Sequence, residues 1–112
     1  MSPVSAAGWL VLDEPGGRRV PLPAPGGRLR VGRGAGNDVA VPDDDWASRA
    51  HAEVVGEAPG VWYVVDLCSS HGTWVDADSI DRPTRLADRQ VLQIGRTAFR
   101  VEIPGEPDVP GR

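Results

Sequence analysis

The sequence predicts an all-β domain in which two mostly antiparallel sheets of short strands pack face to face. Apolar residues recur with a period of two rather than 3.6, and turn signals rich in Gly, Pro, Asn and Asp separate the apolar runs. The only window long enough for a helix, 76–90, is interrupted by Pro83 and lacks helical spacing. We therefore expect a sandwich of about ten to eleven short strands and no helix.

The strands follow one another along the chain. WLVLDE lies near the start, and RLRVGR and NDVAVP then alternate apolar with polar residues, as half-buried strands do. VWYVVDL is continuously apolar from Val61 to Val65, which is typical of a strand covered on both faces. VLQIG and TAFRVEI complete the set, and the second of these places Phe99, Val101 and Ile103 on one face. Residues 1–7 and 104–112 are expected to be loose ends.

The composition fits one domain with a packed core. The chain has 112 residues, of which 40% are hydrophobic and 25% are charged, and this balance argues against disorder throughout. The single cysteine, Cys68, excludes an intramolecular disulfide and favours an intracellular compartment. No apolar run reaches the length of a membrane span and no leader pattern is visible, so we expect a soluble, cytoplasmic protein without membrane insertion.

The charged residues narrow the class of partner. The net charge is −4, which argues against broad nucleic-acid binding because that usually requires a basic face. All 12 basic residues are arginine, a bias typical of a GC-rich coding sequence. Every basic side chain therefore ends in a planar guanidinium, whose N–H groups are suited to bind phosphate or carboxylate.

Three polar loops separate predicted strands: VGRGAGND, DDDWASRAH and DLCSSHGTWV. Loops at one end of a sandwich can converge although they lie far apart in the chain. If they converge, they gather two guanidiniums (Arg33 and Arg49), two hydroxyls (Ser48 and Ser70) and the imidazole of His71. Ionised donors make short, strong bonds to phosphate, so this set predicts an oxyanion site. Nothing in it could cleave or transfer a phosphate without a further base or metal.

The order of these motifs resembles the forkhead-associated (FHA) family of phosphothreonine-binding β-sandwich modules. The matching segments are Gly32-Arg33, the S-R-x-H motif 48–51, and 66–75, which reads D-L-x-S-x-H-G-T-x-V. LADRQVLQIG is similar to the closing hairpin of the family. The resemblance spans about residues 8–103, which we take as the FHA domain, and it implies an FHA/SMAD-like sandwich.

The resemblance implies a role for each residue that would face the ligand. Arg33 would pair with the phosphate and approach the peptide backbone, and Ser48 would donate its hydroxyl to a phosphate oxygen. Arg49 would add positive charge, and Ser70 would contribute its hydroxyl or its backbone amide. His71 would bind the peptide backbone, although asparagine is usual at this position. A neutral imidazole both donates and accepts, whereas a protonated one only donates, so we expect binding to depend on pH.

Other residues of the motifs are expected to support the site. His51 resembles the structural histidine of the family, which braces the binding loops from inside. Gly72 is placed to allow a positive φ, and Gly32 and Thr73 are further supporting positions. Ahead of the S-R-x-H motif, the acidic run 43–45 either disfavours multiply phosphorylated ligands and favours basic flanking residues, or is a solvated loop.

Other function classes fit these residues less well than a phosphopeptide module. A small hydrolase would need Ser48 or Ser70 to meet a histidine and Asp66, but the chain has no G-x-S-x-G elbow. A metal site built from the two histidines and Cys68 matches no zinc spacing. We expect no enzyme, no cofactor and no metal. A phosphate-independent scaffold that uses the sandwich surface remains the alternative.

The resemblance also implies the kind of partner. It implies a phosphothreonine-containing protein or peptide in a Ser/Thr kinase pathway or a secretion system, with no nucleic acid bound. Threonine occurs only at 73, 84 and 97, inside the presumed domain. A self-inhibiting phosphothreonine in a tail is therefore not expected, and the ligand should be supplied in trans.

Overall fold

The computed structural model describes residues 8–14 and 16–104. These residues contain eleven strands, joined by turns and loops, and no helix. Apart from Pro104, the expected loose ends at 1–7 and 104–112 lie outside the described residues. The strands are β1 (Trp9–Leu12), β2 (Arg19–Pro21), β3 (Arg28–Gly32), β4 (Val39–Ala40), β5 (Ala52–Ala58), β6 (Val61–Asp66), β7 (Thr73–Val75), β8 (Asp78–Ser79), β9 (Thr84–Arg85), β10 (Val91–Ile94) and β11 (Thr97–Glu102). Within these residues no helix could cross a membrane.

The strands form two sheets. One has six strands in the order β2-β1-β11-β10-β7-β8, and the other has five in the order β4-β3-β5-β6-β9. Every pair is antiparallel except β3 and β4, which run parallel. The predicted all-β sandwich of ten to eleven strands is confirmed.

The core lies between the two sheets and follows the period-two pattern. On β11, Phe99 and Val101 are fully buried, and Ile103 just beyond the strand is nearly so. Leu10, Val31, Val54, Val64, Leu92 and Ile94 join them with no exposed surface. Each buried aliphatic or aromatic side chain contributes about 1.5–3 kcal/mol to stability, so this layer holds the sheets together.

The expectation that β6 is covered on both faces is wrong. Trp62 and Val64 are buried, whereas Val61, Tyr63 and Val65 are only half-buried. The five-stranded sheet packs one face on the other sheet, and side chains alternate between faces along a strand. The continuous apolar run therefore places Val61, Tyr63 and Val65 on the outer face of the sheet.

Strand pairing places the three polar loops at one end of the sandwich. Val31 near the end of β3 pairs with Ala52 at the start of β5, and Ala52 pairs with Asp66 at the end of β6. In the other sheet Thr73 at the start of β7 pairs with Ile94 at the end of β10. The loops after β3, before β5, between β6 and β7 and after β10 therefore project from the same end, which we call the binding end.

Candidate functional site

Backbone hydrogen bonds join the polar loops at the binding end. The Arg33 amide donates to the Ser48 carbonyl at 2.9 Å, and the Gly34 amide donates to the Arg49 carbonyl at 3.1 Å. The Ser70 amide donates to the Ser48 hydroxyl oxygen at 2.9 Å. The convergence that the sequence predicted for Arg33, Ser48, Arg49 and Ser70 is therefore present, and the Ser48 hydroxyl keeps its own proton for another acceptor.

Gly32 allows the first two loops to approach each other. A Cβ atom at this position would lie 2.4 Å from the Arg49 carbonyl oxygen, which is far inside van der Waals contact. Asn37 ties the same loops together, since its side-chain amide donates to the carbonyls of Gly34 and Arg49, both at 2.7 Å. Sequence reasoning did not single out Asn37. The signal available was the G-x-G-N turn, because asparagine often bonds to nearby backbone in turns.

His51 is fully buried beneath the loops and connects them. Its Nδ1 accepts a hydrogen bond from the Ser48 amide at 3.0 Å, and its Nε2 lies 2.8 Å from the Gly72 carbonyl. A carbonyl only accepts, so Nε2 carries the proton and the ring is the neutral Nε2–H tautomer. Gly72 has φ +84°, a left-handed conformation that favours glycine. The ring therefore links the loop that carries Ser48 to the loop that carries Ser70.

Asp66 organises the loop between β6 and β7. It accepts hydrogen bonds from the Thr73 hydroxyl at 2.7 Å, from the Ser69 amide at 3.1 Å and from the Ser69 hydroxyl. Burial raises the pKa of Asp66, but these hydrogen bonds outweigh burial and hold the pKa below its usual value. Thr73 is fully buried. We call the support beneath the loops the brace; its residues are the buried His51 and Thr73 and the half-buried Asn37 and Asp66.

The ligand-facing candidates form an edge above this support, on which all but the half-buried Ser48 are exposed. We call this edge the rim, and its residues are Arg33, Ser48, Arg49, Ser70 and His71. The Arg33 Nε donates to the Ala47 carbonyl at 3.1 Å, which orients the guanidinium and leaves its Nη groups available. Within residues 8–14 and 16–104, neither Arg33 nor Arg49 forms an ion pair. The rim therefore presents two positive charges without neutralising partners in the described chain.

Contacts with Trp46 hold the His71 side chain at the rim. Its Nδ1 lies 3.2 Å from the Trp46 carbonyl, and its ring lies 4.4 Å from the Trp46 ring between centroids. Nδ1 therefore donates to the carbonyl, and Nε2 is the ring nitrogen left for a ligand. Trp46 is 43% exposed and also has the Arg96 guanidinium 4.8 Å from its ring centroid.

Asp44 does not fit either interpretation of the acidic run. It is only 8% exposed, and it accepts hydrogen bonds from the Trp46 amide at 3.0 Å, the Arg96 amide at 2.8 Å and the Thr97 hydroxyl at 2.6 Å. Burial raises the pKa of Asp44, but hydrogen bonds from Thr97 and from backbone amides outweigh burial and lower the pKa. Asp44 thus fastens the loop before Ser48 to the turn between β10 and β11, whereas Asp43 and Asp45 are exposed.

The comparisons with known proteins agree with this geometry. The model of the FHA domain family matches residues 29–95. FhaB from Mycobacterium tuberculosis is 33% identical over 98 residues, which cover 86% of this chain and 61% of FhaB. A second curated relative, an FHA domain-containing protein from Arabidopsis thaliana, is 34% identical over 74 residues, which cover 63% of this chain and 19% of that protein. The chain thus spans less than two thirds of the length of these relatives.

Solved structures share the fold over most of the chain. An FHA domain studied for phosphothreonine-dependent interactions aligns with a TM-score of 0.78 and 30% identity, covering 90% of this chain and 98% of that one. Mycobacterium tuberculosis EmbR in complex with a low-affinity phosphopeptide aligns with a TM-score of 0.77 and 29% identity, covering 92% of this chain and 26% of EmbR. On this evidence of sequence and fold, the chain belongs to the forkhead-associated (FHA) domain family.

Proposed function

We propose that this chain is a phosphopeptide-binding module that recognises phosphothreonine on a partner protein supplied in trans. The observation that carries the proposal is the rim, in which hydrogen bonds join the loops that carry Arg33, Ser48, Arg49 and Ser70. Within the described residues neither guanidinium has an ion-pair partner. Arginine clusters on loops are a known means of phosphopeptide recognition. The similar structures of EmbR with a phosphopeptide and of an FHA domain studied for phosphothreonine-dependent interactions add support.

Each rim residue has a distinct task in this proposal. Arg33 offers its Nη groups to the phosphate, and Ser48 donates its hydroxyl proton. Arg49 supplies further positive charge, Ser70 contributes its hydroxyl, and the Nε2 of His71 bonds to the peptide backbone. Bonds to an ionised partner contribute about 1.5–3 kcal/mol each, which is consistent with affinities on the order of micromolar after ordering costs.

The proposal describes a binding module rather than an enzyme. Both ring nitrogens of His51 are engaged in the brace, and the Ser48 hydroxyl oxygen accepts a bond from a backbone amide. Neither group is therefore arranged as a base and nucleophile pair. We place the module at residues 8–103 and in the cytoplasm, within Ser/Thr kinase signalling. The exposed free thiol of Cys68 favours a reducing compartment.

Phosphothreonine peptides and Arg33→Ala test the proposal together. Screening an oriented peptide library should select phosphothreonine peptides and not their unphosphorylated forms. Isothermal titration calorimetry with one selected peptide then gives the dissociation constant. Arg33→Ala should weaken binding by at least about tenfold, because it removes bonds to an ionised phosphate. Arg28→Ala is the matched control, since Arg28 is exposed at the opposite end of β3. Equal binding by Arg33→Ala and the unmodified protein would refute the proposal.

A further inference from the structure

We infer that a cleft beside the rim binds an arginine or lysine side chain of the same phosphopeptide. This inference rests on the proposed function and specifies its ligand class. The cleft lies at the binding end and has a volume of about 440 Å³. Leu12, Val41 and Pro42 supply apolar lining, and Trp46 forms part of its wall.

The charge of the cleft is opposite to that of the rim. Its charged lining residues are Glu14, Arg18, Asp43, Asp44, Asp45 and Arg96, which carry four negative and two positive charges. Asp44 is already satisfied by backbone and hydroxyl donors. Within residues 8–14 and 16–104, the carboxylates of Glu14, Asp43 and Asp45 have no ion-pair partner. These three are therefore available to a cationic side chain.

The two arginines of the cleft only partly offset these carboxylates. Arg18 directs an Nη group to the Ala40 carbonyl at 3.4 Å, and the Arg96 guanidinium lies 4.8 Å from the centre of the Trp46 ring. Neither forms an ion pair within the described part of the chain. The cleft therefore retains a net negative charge, whereas Arg33 and Arg49 make the adjoining rim positive.

The cleft and the rim are close enough for one peptide to reach both. Trp46 precedes Ser48 by two residues, so their Cα atoms are at most about 7 Å apart. The Arg33 guanidinium bonds to the intervening Ala47 carbonyl, and His71 contacts the Trp46 ring. An extended peptide advances about 3.3 Å per residue. A basic residue two to four positions from the phosphothreonine would therefore reach the cleft.

The lining suits an amphipathic cation better than a purely apolar side chain. Lysine and arginine pack their aliphatic stems on apolar surface while the charged head stays near water and counter-charges. In this cleft the stem would pack beside Leu12, Val41 and Trp46, and the head would lie near Asp43 and Asp45. The preferred ligand thus carries a negative phosphate and a nearby positive side chain.

Fluorescence anisotropy with matched phosphothreonine peptides tests the inference on the full chain. Each peptide carries one Arg, Lys, norleucine or Glu at a single position within four residues of the phosphothreonine, on an alanine background. Arg and Lys should tighten binding by about threefold to tenfold at one or more positions, as expected for one or two exposed ion pairs. Norleucine should give less, Glu should weaken binding, and salt should reduce the preference.

Two variants locate the effect. Asp43→Asn with Asp45→Asn should abolish the preference for basic residues, and Asp45→Arg should shift it toward Glu. Glu57→Gln with Asp78→Asn removes the same amount of charge from exposed positions away from the binding end. This control should preserve the preference for basic residues. A preference that is absent, is matched by norleucine, or survives in the Asp43/Asp45 variant would overturn the inference while phosphothreonine binding stands. Failure of every phosphopeptide to bind would overturn the proposed function and this inference with it.

Discussion

The two histidines at the binding end differ in how much of their hydrogen-bonding capacity the protein itself uses. His51 is fully buried, and both of its ring nitrogens bond to the backbone. His71 is exposed, and only its Nδ1 has a partner within the described residues. The first belongs to the brace and the second to the rim.

The same contrast holds for the charged residues of these regions. In the brace, Asp66 receives bonds from Ser69 and Thr73, so its charge is satisfied within the fold. On the rim, most of the N–H donors of the Arg33 and Arg49 guanidiniums have no partner among the described residues and are available to a ligand. Substitutions in the brace should therefore lower the free energy of unfolding, whereas alanine substitutions of Arg33, Arg49 or His71 on the rim should lower affinity and leave stability nearly unchanged.

The largest effect is expected from His51→Ala. Removing the ring leaves a cavity and strips partners from the Ser48 amide and the Gly72 carbonyl, both at loop junctions. The free energy of unfolding should fall by about 3–5 kcal/mol, measured by urea denaturation. His71→Ala makes the same substitution at an exposed position and should change stability by less than about 0.5 kcal/mol. Similar losses in both variants would contradict the division between brace and rim.

Asp44→Asn should have the next largest effect and should depend on pH. An amide cannot accept all the bonds that the carboxylate receives, so stability should fall by about 1.5–3 kcal/mol at neutral pH. The folded-state pKa of Asp44 is lowered, so its stabilisation is present above the unfolded value of about 3.9 and is lost as the pH falls through the folded-state pKa.

Urea denaturation at several pH values should therefore show the two proteins converging in acid, below about pH 4. Asp45→Asn, at an exposed neighbour, is the control and should leave stability nearly unchanged at every pH. A difference between Asp44→Asn and the unmodified protein that stays constant with pH would show that the carboxylate charge is not the cause.

Gly32→Ala sharpens the comparison because Gly32 lies where the two regions meet. The added Cβ would lie 2.4 Å from the Arg49 carbonyl, so the loops that carry Arg33 and Arg49 must move apart. We expect a loss of about 1–3 kcal/mol in stability and weaker phosphopeptide binding. At Gly36 a Cβ would meet nothing within 4 Å, so Gly36→Ala should keep both properties. Full binding by Gly32→Ala would indicate that the rim tolerates this displacement.

Much of the fold could be predicted because local pattern and global packing agree. The alternation along β11 identifies Phe99 and Val101 as core residues, and both are fully buried. The motif order also places Arg33, Ser48 and Ser70 on loops that meet. In the strands, the residue type and the period of two are sufficient to predict which side chains are buried, since every second residue faces the other sheet.

The remaining features depend on contacts that local sequence does not encode. Asp43, Asp44 and Asp45 have the same side chain, and only the turn between β10 and β11, more than 50 positions away, selects Asp44 for burial. The half-buried outer face of β6 depends on which side of its sheet faces the core. The role of Asn37 requires the Arg49 carbonyl to arrive from another loop. Each is decided by tertiary packing.

His71→Asn should have the smallest effect and addresses the departure of this chain from the usual asparagine. With Nδ1 bonded to the Trp46 carbonyl, only the Nε2 of His71 is left for the ligand, whereas an asparagine amide offers an oxygen acceptor and an NH2 donor at once. One further hydrogen bond contributes about 0.5–1.5 kcal/mol. His71→Asn should therefore tighten phosphopeptide binding by about twofold to tenfold, measured by fluorescence anisotropy.

His71→Ala is the matched variant, because it removes the ring and offers the ligand no side-chain hydrogen-bonding group. It should weaken binding by about twofold to tenfold, so the affinities should rank Asn, His and Ala at position 71 in that order. Equal affinities in all three proteins would show that the side chain at position 71 does not bind the ligand. The rim would then act through Arg33, Arg49 and the hydroxyl donors, and His71 would serve only to pack on Trp46.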